Sequence, residues 1–151
     1  MSNQENIIWR RLSSTDFDKG YIALLSQLST VGNVDKSVFL CRFQQLEQNS
    51  DYYILVAEDI DTSTVIACGT LFVELKFLHS CQSVGHIEDI VVSKEYRHLG
   101  LGKQLVERLV QEARNRSCYK AILSCSPANV TFYEKCNFVQ KELQMVQYFH
   151  Q

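Results

Sequence analysis

The sequence predicts an α/β fold, in which β-strands and amphipathic helices alternate along the chain. Residues 52–57 and 65–73 are β-rich runs on either side of a polar turn, which is typical of a β-hairpin. Residues 85–92 form a further β-rich run, followed by a glycine loop and then by a segment with apolar residues at helical spacing. Both patterns indicate a sheet packed against helices.

The N-terminal part is predicted to add one strand and two helices. Residues 7–12 read as a strand, which ends at a cluster of N-cap residues at positions 13–16. Apolar residues recur at helical spacing over 17–28, until Gly32 and Asn33 break the pattern. A second helix is predicted to begin at about Asp35.

The C-terminal part is predicted to contain a helix, a strand, a short helix and a last strand. The helix over 101–113 carries apolar residues at helical spacing. Residues 119–125 and 139–148 are the predicted strands. Between them we expect a short helix through Tyr133, with Ser126 as its cap and Pro127 at its first position.

Length and composition limit the class of protein. A chain of 151 residues fits one domain, and we expect residues 1–151 to form a single domain. Hydrophobic residues make up 46% and charged residues 21%, with one proline and six glycines, which excludes disordered and collagen-like chains. A net charge of -2 argues against a general nucleic-acid binder.

The first residues and the cysteines indicate the compartment. Residues 1–6 are polar and acidic, unlike a secretory signal, and no apolar run approaches the roughly 20 residues of a membrane helix. We therefore expect a soluble, cytoplasmic protein that does not bind membranes. Its six cysteines are expected to be reduced thiols, and the lack of a C-x-x-C pair argues against zinc or another metal.

The loop after residues 85–92 has the features of a phosphate site. Gly100 and Gly102 remove side chains that would keep a ligand from the backbone, and the N–H groups of the following helix start are free to bind an anion. A pyrophosphate fits this description.

Two common phosphate loops do not match. A Walker A loop needs a glycine where Arg97 stands and a Ser or Thr where Gln104 stands. The dinucleotide-binding fingerprint needs a third glycine where Leu105 stands.

The pattern R-x-x-G-x-G over residues 97–102 resembles the pyrophosphate loop of the GNAT superfamily of acetyl-CoA-dependent N-acetyltransferases. Three further segments resemble its glucosamine-6-phosphate N-acetyltransferase family: G-H-I-E-D-I-V-V over 85–92, C-Y-K over 118–120 and N-V-T-F-Y-E-K-C over 129–136. The segment L-S-T-V-G over 28–32 is similar to another part of that family.

The resemblance implies a mixed central sheet, flanked by helices and splayed at the strand before the loop, with acetyl-CoA in the opening and no metal. It implies acetyl transfer to the amine of glucosamine 6-phosphate, as a step toward UDP-N-acetylglucosamine. It also implies a homodimer with the last strand near the interface. The residues expected to bind the cofactor are Ile90, Val91, Val92, Arg97, His98, Leu99, Gly100, Leu101, Gly102, Lys103, Asn129, Tyr133, Glu134 and Lys135.

The transfer needs a neutral amine, donors for the developing oxyanion and an acid for the departing thiolate. The resemblance makes Tyr133 the acid, and its alternative role is a core aromatic residue. Asn129 is four residues before Tyr133 and so shares its helix face, where it either binds the cofactor amide or satisfies local backbone groups.

Glu88 and Asp89 are the other catalytic candidates. As neighbours on a strand they are expected to point to opposite faces, which excludes a paired-carboxylate dyad. The resemblance implies that backbone carbonyls polarise the amine more than a dedicated base does. His86 is expected to be a satisfied structural group instead of a base.

The resemblance also implies the residues that bind the sugar phosphate. Those expected near this substrate are Ser29, Lys76, Phe77, Leu78, His79, Glu88, Asp89, Ile90, Tyr119, Lys120, Ser124 and Tyr148. Lys76, His79 and Lys120 are the expected phosphate partners. Ser124 stands where the family commonly has an acidic residue, and Tyr148 stands where it has an arginine.

These two departures leave two other functions open. One is a GNAT enzyme that acts on a different small amine or a peptide. The other is a non-catalytic module that binds acyl-CoA.

Overall fold

A five-stranded mixed sheet organises the chain in the computed structural model, which describes residues 6–149. Its strands are β1 Ile7–Arg11, β2 Tyr52–Asp59, β3 Thr64–Glu74, β4 Ser83–Val92 and β5 Cys118–Ile122. They follow one another in chain order, antiparallel from β1 to β4, and β5 pairs parallel with β4. The predicted mixed sheet and the hairpin of β2 and β3 are confirmed.

Four α-helices, three 3₁₀ segments and a short left-handed turn at Leu78–Cys81 complete the described fold. The helices are α1 Tyr21–Leu25, α2 Lys36–Glu47, α3 Leu101–Asn115 and α4 Val130–Glu134. The 3₁₀ segments are Ser14–Phe17, Lys94–Leu99 and Pro127–Asn129.

Helices cover both faces of the sheet. On one face, Leu105 and Leu109 of α3 pack against Leu71 and Ile87 of the central strands. On the other face, Tyr21, Leu24 and Phe39 from α1 and α2 pack against other residues of β2, β3 and β4. The functional surface must therefore lie at an edge or end of the sheet.

The N-terminal helices differ in part from the predicted ones. The second helix begins close to the predicted position, and Asp35 is its N-cap, because its Oδ1 accepts a hydrogen bond from the N–H of Val38 at 2.9 Å. The single helix predicted over 17–28 is wrong. Gly20 has a left-handed backbone, with φ of +81°, and it separates the segment Ser14–Phe17 from the five-residue α1.

A buried ionic network joins the first strand to the second. Asp16, which is fully buried, accepts two hydrogen bonds from the guanidinium of Arg10, at 2.8 and 2.7 Å. Glu58 accepts from Arg10 at 2.8 and 2.6 Å and from Lys19. The network fixes the Ser14–Phe17 turn against β1 and β2.

The C-terminal strands also differ from prediction. β5 ends at Ile122 instead of residue 125, and the predicted strand over 139–148 is wrong. Residues 139–148 carry no strand pairing, and their side chains are exposed, including Leu143 at 86% and Met145 at 89%. A strand needs a partner for its N–H and C=O groups, and the described chain offers none to this segment.

Among residues 6–149, no helix has the length and apolar character needed to cross a membrane. The six cysteines are all free thiols in the structure.

Candidate functional site

The parallel pair of β4 and β5 opens into a cleft. The last paired residues are His86 and Ile122, after which β5 ends while β4 continues to Val92. On that side, the backbone from Ile87 to Val92 therefore has no strand partner within the described chain. An extended ligand can add its own amide groups to such an edge.

A bulge in β4 lies beside this cleft. Asp89 has a φ of +53°, and β4 has two residues, Asp89 and Ile90, opposite the single residue Gly69 of β3. A Cβ on Gly69 would lie 2.5 Å from Cδ1 of Ile90, so only glycine leaves room for the displaced isoleucine.

The bulge overturns the prediction that Glu88 and Asp89 point to opposite faces. Ile87 and Ile90 both pack on the α3 side of the sheet, with two residues between them instead of one. The inserted residue breaks the alternation of the strand, and both carboxylates are exposed. The charge of Asp89 acts on Tyr21 and Cys68, which lie on the side away from α3, and Glu88 follows Ile87 onto that same side.

The loop after β4 ends in a left-handed glycine at the start of a long helix. Gly100 has a φ of +70°, and nothing lies within 4 Å of where its Cβ would be. The first N–H groups of the 15-residue helix α3 follow directly. Free N–H groups and the helix dipole there suit an anion such as a pyrophosphate.

Gly102 has a steric role that the sequence did not indicate. Its Cβ would lie 3.3 Å from Cζ of Phe132, so its missing side chain lets α4 approach α3. Of the two loop glycines, Gly100 is the one whose Cβ would meet no atom within 4 Å.

The other residues of the loop differ in what they can offer. Arg97, His98 and Lys103 are exposed, whereas Leu101 is buried and can offer a ligand only its backbone N–H. Leu99 is half-buried against the core.

Part of the strand edge is already occupied. The Nε of Arg97 donates to the carbonyl oxygen of Val92 at 3.2 Å. The side chains of Val91 and Val92 are buried, so these two residues present only backbone groups to the cleft.

Two contacts that the sequence did not predict hold this loop in place. The hydroxyl of Tyr96 donates to Oδ2 of the buried Asp59 at 2.7 Å. The N–H of Ser93 donates to the carbonyl of Ile66 at 2.8 Å. The sequence feature that could have indicated the first contact is the aromatic Tyr96 within an otherwise polar loop.

Tyr133 of α4 is half-buried at the end of the cleft. Its ring makes edge contacts with Phe132 and Phe138, at centroid distances of 4.9 and 6.1 Å. Burial raises the pKa of its phenol, and the nearby thiols of Cys125 and Cys136 raise it further. The hydroxyl therefore keeps its proton at neutral pH and can act as an acid.

Asn129 and the residues after Tyr133 lie at the surface of the same helix. Asn129 is the N-cap of α4, but its side chain makes no capping hydrogen bond. The local role considered for it is thus not observed, and its amide is exposed to solvent together with Glu134 and Lys135.

The three expected phosphate partners lie in one neighbourhood, at the end of β3 and the start of β4 and β5. The ring of His79 lies 4.2 Å from that of Tyr119, and Nζ of Lys120 lies 5.5 Å from the same ring. The charge of Tyr119 also acts on Lys76. We call Lys76, His79, Tyr119 and Lys120 the basic cluster.

Glu74 is a further member of this neighbourhood that the sequence did not indicate. Its carboxylate binds Nζ of Lys76 at 2.7 Å with one oxygen and Nε2 of His86 at 2.8 Å with the other. These hydrogen bonds lower the pKa of Glu74, and that of Lys76 is raised mainly by Glu74. His86 is therefore a satisfied structural group.

The remaining substrate candidates are dispersed. Phe77, which is 94% exposed, and Leu78 extend from the turn after β3. Ser29 and Ser124 lie on exposed segments after α1 and β5, and Tyr148 lies on the exposed C-terminal segment. Nothing in the structure joins Tyr148 to the basic cluster of its own chain.

Within residues 6–149, no group of three or more His, Cys, Asp or Glu side chains is arranged to hold a metal ion.

Known proteins share this fold and this sequence. Residues 19–138 match the acetyltransferase (GNAT) family. Glucosamine 6-phosphate N-acetyltransferase 1 of Dictyostelium discoideum is 48% identical over 142 residues, which is 93% of this chain and 90% of that protein. The Arabidopsis thaliana glucosamine 6-phosphate N-acetyltransferase is 41% identical over 141 residues, which is 93% of this chain and 95% of that protein.

A crystal structure of glucosamine-6-phosphate N-acetyltransferase from Arabidopsis thaliana superimposes with a TM-score of 0.93 at 40% identity, covering 95% of this chain and 99% of that chain. The splayed strands and the glycine at the start of α3 indicate the same family as these similarities do. The chain belongs to the acetyltransferase (GNAT) family and, within it, to the glucosamine 6-phosphate N-acetyltransferases.

Proposed function

We propose that this chain transfers an acetyl group from acetyl-CoA to the amine of glucosamine 6-phosphate, giving N-acetylglucosamine 6-phosphate and CoA. The observation that carries the proposal is the cleft between β4 and β5. It has an unpaired strand edge on one side, a left-handed glycine before a long helix at one end and a cluster of cationic side chains at the other.

The residues around the cleft fit acetyl-CoA. The space at Gly100 and the N–H groups of the first α3 turn suit a pyrophosphate, with Arg97, His98 and Lys103 supplying positive charge. The edge from Ile90 to Val92 suits the amide groups of a pantetheine. The other proposed contacts are Leu99, Leu101, Gly102, Asn129, Tyr133, Glu134 and Lys135.

Acetyl-CoA supplies the acetyl group as a reactive thioester. Tyr133 donates the proton that the departing sulfur needs. The phenol is protonated at neutral pH, so it is available as a proton donor. Its partial burial excludes part of the surrounding water.

The β4 bulge receives the amine. The exposed carboxylates of Glu88 and Asp89 face away from α3, next to an interrupted stretch of backbone. We infer that these carboxylates attract and orient the ammonium form of the sugar, which gives one proton to solvent before attack, and that backbone carbonyls at the bulge accept hydrogen bonds from the neutral amine. When the C–N bond forms and the C–S bond breaks, the nitrogen releases a second proton to solvent, Tyr133 gives its proton to the sulfur, and solvent restores the proton of Tyr133.

The basic cluster binds the phosphate. Lys76, His79 and Lys120 surround Tyr119, and a dianion there would meet more than one cation. Glu74 holds Lys76 in place before the substrate arrives. Phosphorylated glucosamine is therefore preferred to glucosamine itself.

The active form of the protein is proposed to be a homodimer. Residues 139–149 are exposed and carry several large apolar side chains, among them Leu143, Met145 and Val146. Phe77 and Leu78 are exposed apolar residues on the turn after β3. We propose that the C-terminal segment of each protomer covers apolar surface on the other, and that Tyr148 contributes to the partner's substrate site.

The chain is further proposed to act as a single domain in the cytoplasm. One sheet with helices on both faces supports the first point, and six free thiols suit a reducing compartment. The product is a precursor for UDP-N-acetylglucosamine.

Release of free thiol from acetyl-CoA, measured with a panel of amines, tests the proposal. We expect glucosamine 6-phosphate to be far the best substrate, with glucosamine, a polyamine and a peptide amine much poorer. Clear activity on another amine alone would retain acetyl transfer and reject the sugar phosphate. A chain that binds acetyl-CoA but acetylates none of these amines would favour a non-catalytic module.

A further inference from the structure

We propose that Gln27 is a positioning residue that couples the binding of the sugar substrate to the binding of CoA. The side chain Oε1 of Gln27 accepts a hydrogen bond from the backbone N–H of Lys94 at 3.0 Å, across 67 positions of sequence. The bond joins the segment after α1 to the loop after β4. The inference rests on the proposed function, because it assumes that these two segments serve the two substrates.

On one side, the bond reaches the start of the cofactor loop. Lys94 is the first residue of the 3₁₀ segment that leads to Gly100 and α3. The rest of that segment is fixed to the sheet by Tyr96 and Ser93. An occupied pyrophosphate site would therefore hold the N–H of Lys94 in a defined position.

On the other side, the bond reaches the connector between α1 and α2. Gln27 is itself fixed to α1, since its N–H donates to the carbonyl of Leu24 at 3.0 Å. The residues from Leu28 to Asn33 that follow it are exposed or half-buried, and no atom lies within 4 Å of where a Cβ on Gly32 would be. This loosely packed connector carries Ser29, a proposed substrate residue.

A single exposed hydrogen bond thus links the cofactor loop to a loosely packed connector. When the pyrophosphate binds at the far end of this loop, it favours the loop position in which the N–H of Lys94 meets Gln27. The bond then limits the positions that the connector can adopt, and the sugar loses less conformational freedom on binding. By thermodynamic linkage, the sugar must strengthen CoA binding by the same factor. One exposed hydrogen bond corresponds to a factor of about twofold to tenfold.

The test uses calorimetric titration of the whole chain with CoA, alone and with saturating glucosamine 6-phosphate, a pair that cannot react. For the wild type, we expect the sugar to lower the Kd of CoA by about threefold or more. Gln27→Met keeps the length of the side chain but removes the acceptor, so the Kd ratio should fall close to one while the Kd of CoA alone changes little. Gln27→Glu keeps an acceptor and should retain the coupling.

Gln44→Met, on the exposed surface of α2, is the matched control and should behave like the wild type. A wild-type ratio of one, or an unchanged ratio in Gln27→Met, would overturn the inference and leave the activity intact. A Gln27→Glu ratio of one would also count against it, because the acceptor would then not matter. Failure of the proposed function has a different signature, since the wild type would then release no thiol from acetyl-CoA in the presence of glucosamine 6-phosphate.

Discussion

Tyr133 has two properties that an acid for a departing thiolate requires. Its ring is fixed by Phe132 and Phe138, and its phenol is protonated at neutral pH. Its helix also packs on the start of α3, where Phe132 lies close to Gly102. Burial raises the pKa of the phenol because it disfavours the phenolate, so proton donation must be coupled to departure of the thiolate.

Replacing Tyr133 with Phe should remove the hydroxyl that donates the proton and leave the packing of the ring unchanged. We expect turnover to fall by roughly 10²–10⁴-fold, with the Kd of acetyl-CoA changed little. Single-turnover kinetics would show the loss in the chemical step. Tyr52→Phe is a matched control, because Tyr52 is a half-buried tyrosine that packs on Phe72 outside the cleft. Wild-type turnover in Tyr133→Phe would contradict the catalytic role and show that Tyr133 is a core aromatic residue instead.

The two glycines of the cofactor loop show what a motif can and cannot predict. The sequence indicates that both Gly100 and Gly102 matter. The sequence does not show that the two glycines have different roles. Gly100 has a left-handed backbone that faces open space, whereas Gly102 makes a close contact with Phe132. The second role depends on a helix that lies 30 positions further along the chain.

The ionic network around Glu58 gives the first elements a pH-dependent contribution to stability. Burial alone would raise the pKa of Glu58, but the hydrogen bonds from Lys19 and Arg10 outweigh it and lower the pKa below its ordinary value. A carboxylate with a lowered pKa stabilises the fold above its unfolded pKa, about 4.3, and this contribution is lost as the pH falls through the folded pKa.

Glu58→Gln should therefore lower the free energy of unfolding at pH 7 by about 1–3 kcal/mol and weaken its dependence on pH below about 4.3. Urea unfolding between pH 3 and pH 7 measures both effects. Asp18→Asn is the control, since Asp18 forms only an exposed pair with Lys36 and should change the free energy by less than about 1 kcal/mol. An equal effect of the two substitutions would show that burial of the network is unimportant.

At the level of elements, patterns in neighbouring residues predicted those helices, strands and turns that depend only on neighbouring residues. The hairpin of β2 and β3, the start of α2 near Asp35 and the succession of strand, loop and helix at β4 follow from propensity and spacing. The bulge at Asp89 does not, because it depends on Gly69 in the neighbouring strand.

The turn after β3 was equally hard to predict. His79, Ser80 and Cys81 have φ values of 51, 60 and 63°, a left-handed conformation that favours glycine, yet none of them is glycine. The contact between His79 and Tyr119, on a strand far along the chain, accompanies this conformation. A pattern in one sequence does not show which distant residues are in contact.

For the whole molecule, the segment 139–149 has no strand partner among the described residues. Leu143, Met145, Val146 and Tyr148 are all exposed. The prediction of a strand over 139–148 was wrong because a strand needs a partner for its backbone groups, and the local sequence does not show whether one is available.

Leu143→Lys should weaken the dimer without disturbing the folded protomer, since Leu143 is 86% exposed in the single chain. Sedimentation at several concentrations should show a dimer for the wild type and a shift toward monomer for the variant. Val38→Lys, on the exposed surface of α2, is the control and should remain dimeric. A wild type that is monomeric throughout, or a variant as dimeric as the control, would contradict the proposed role of this segment.

The central claim is that one cleft holds acetyl-CoA along β4 and the sugar phosphate at the basic cluster. A crystal structure of the chain with CoA and N-acetylglucosamine 6-phosphate tests it most directly. We expect the pyrophosphate to accept hydrogen bonds from the N–H groups at Gly100 and the first turn of α3, the thiol to lie beside the hydroxyl of Tyr133, and the sugar phosphate to contact Lys76 or Lys120. A pyrophosphate bound away from that turn, or a sugar phosphate bound away from the basic cluster, would contradict the account.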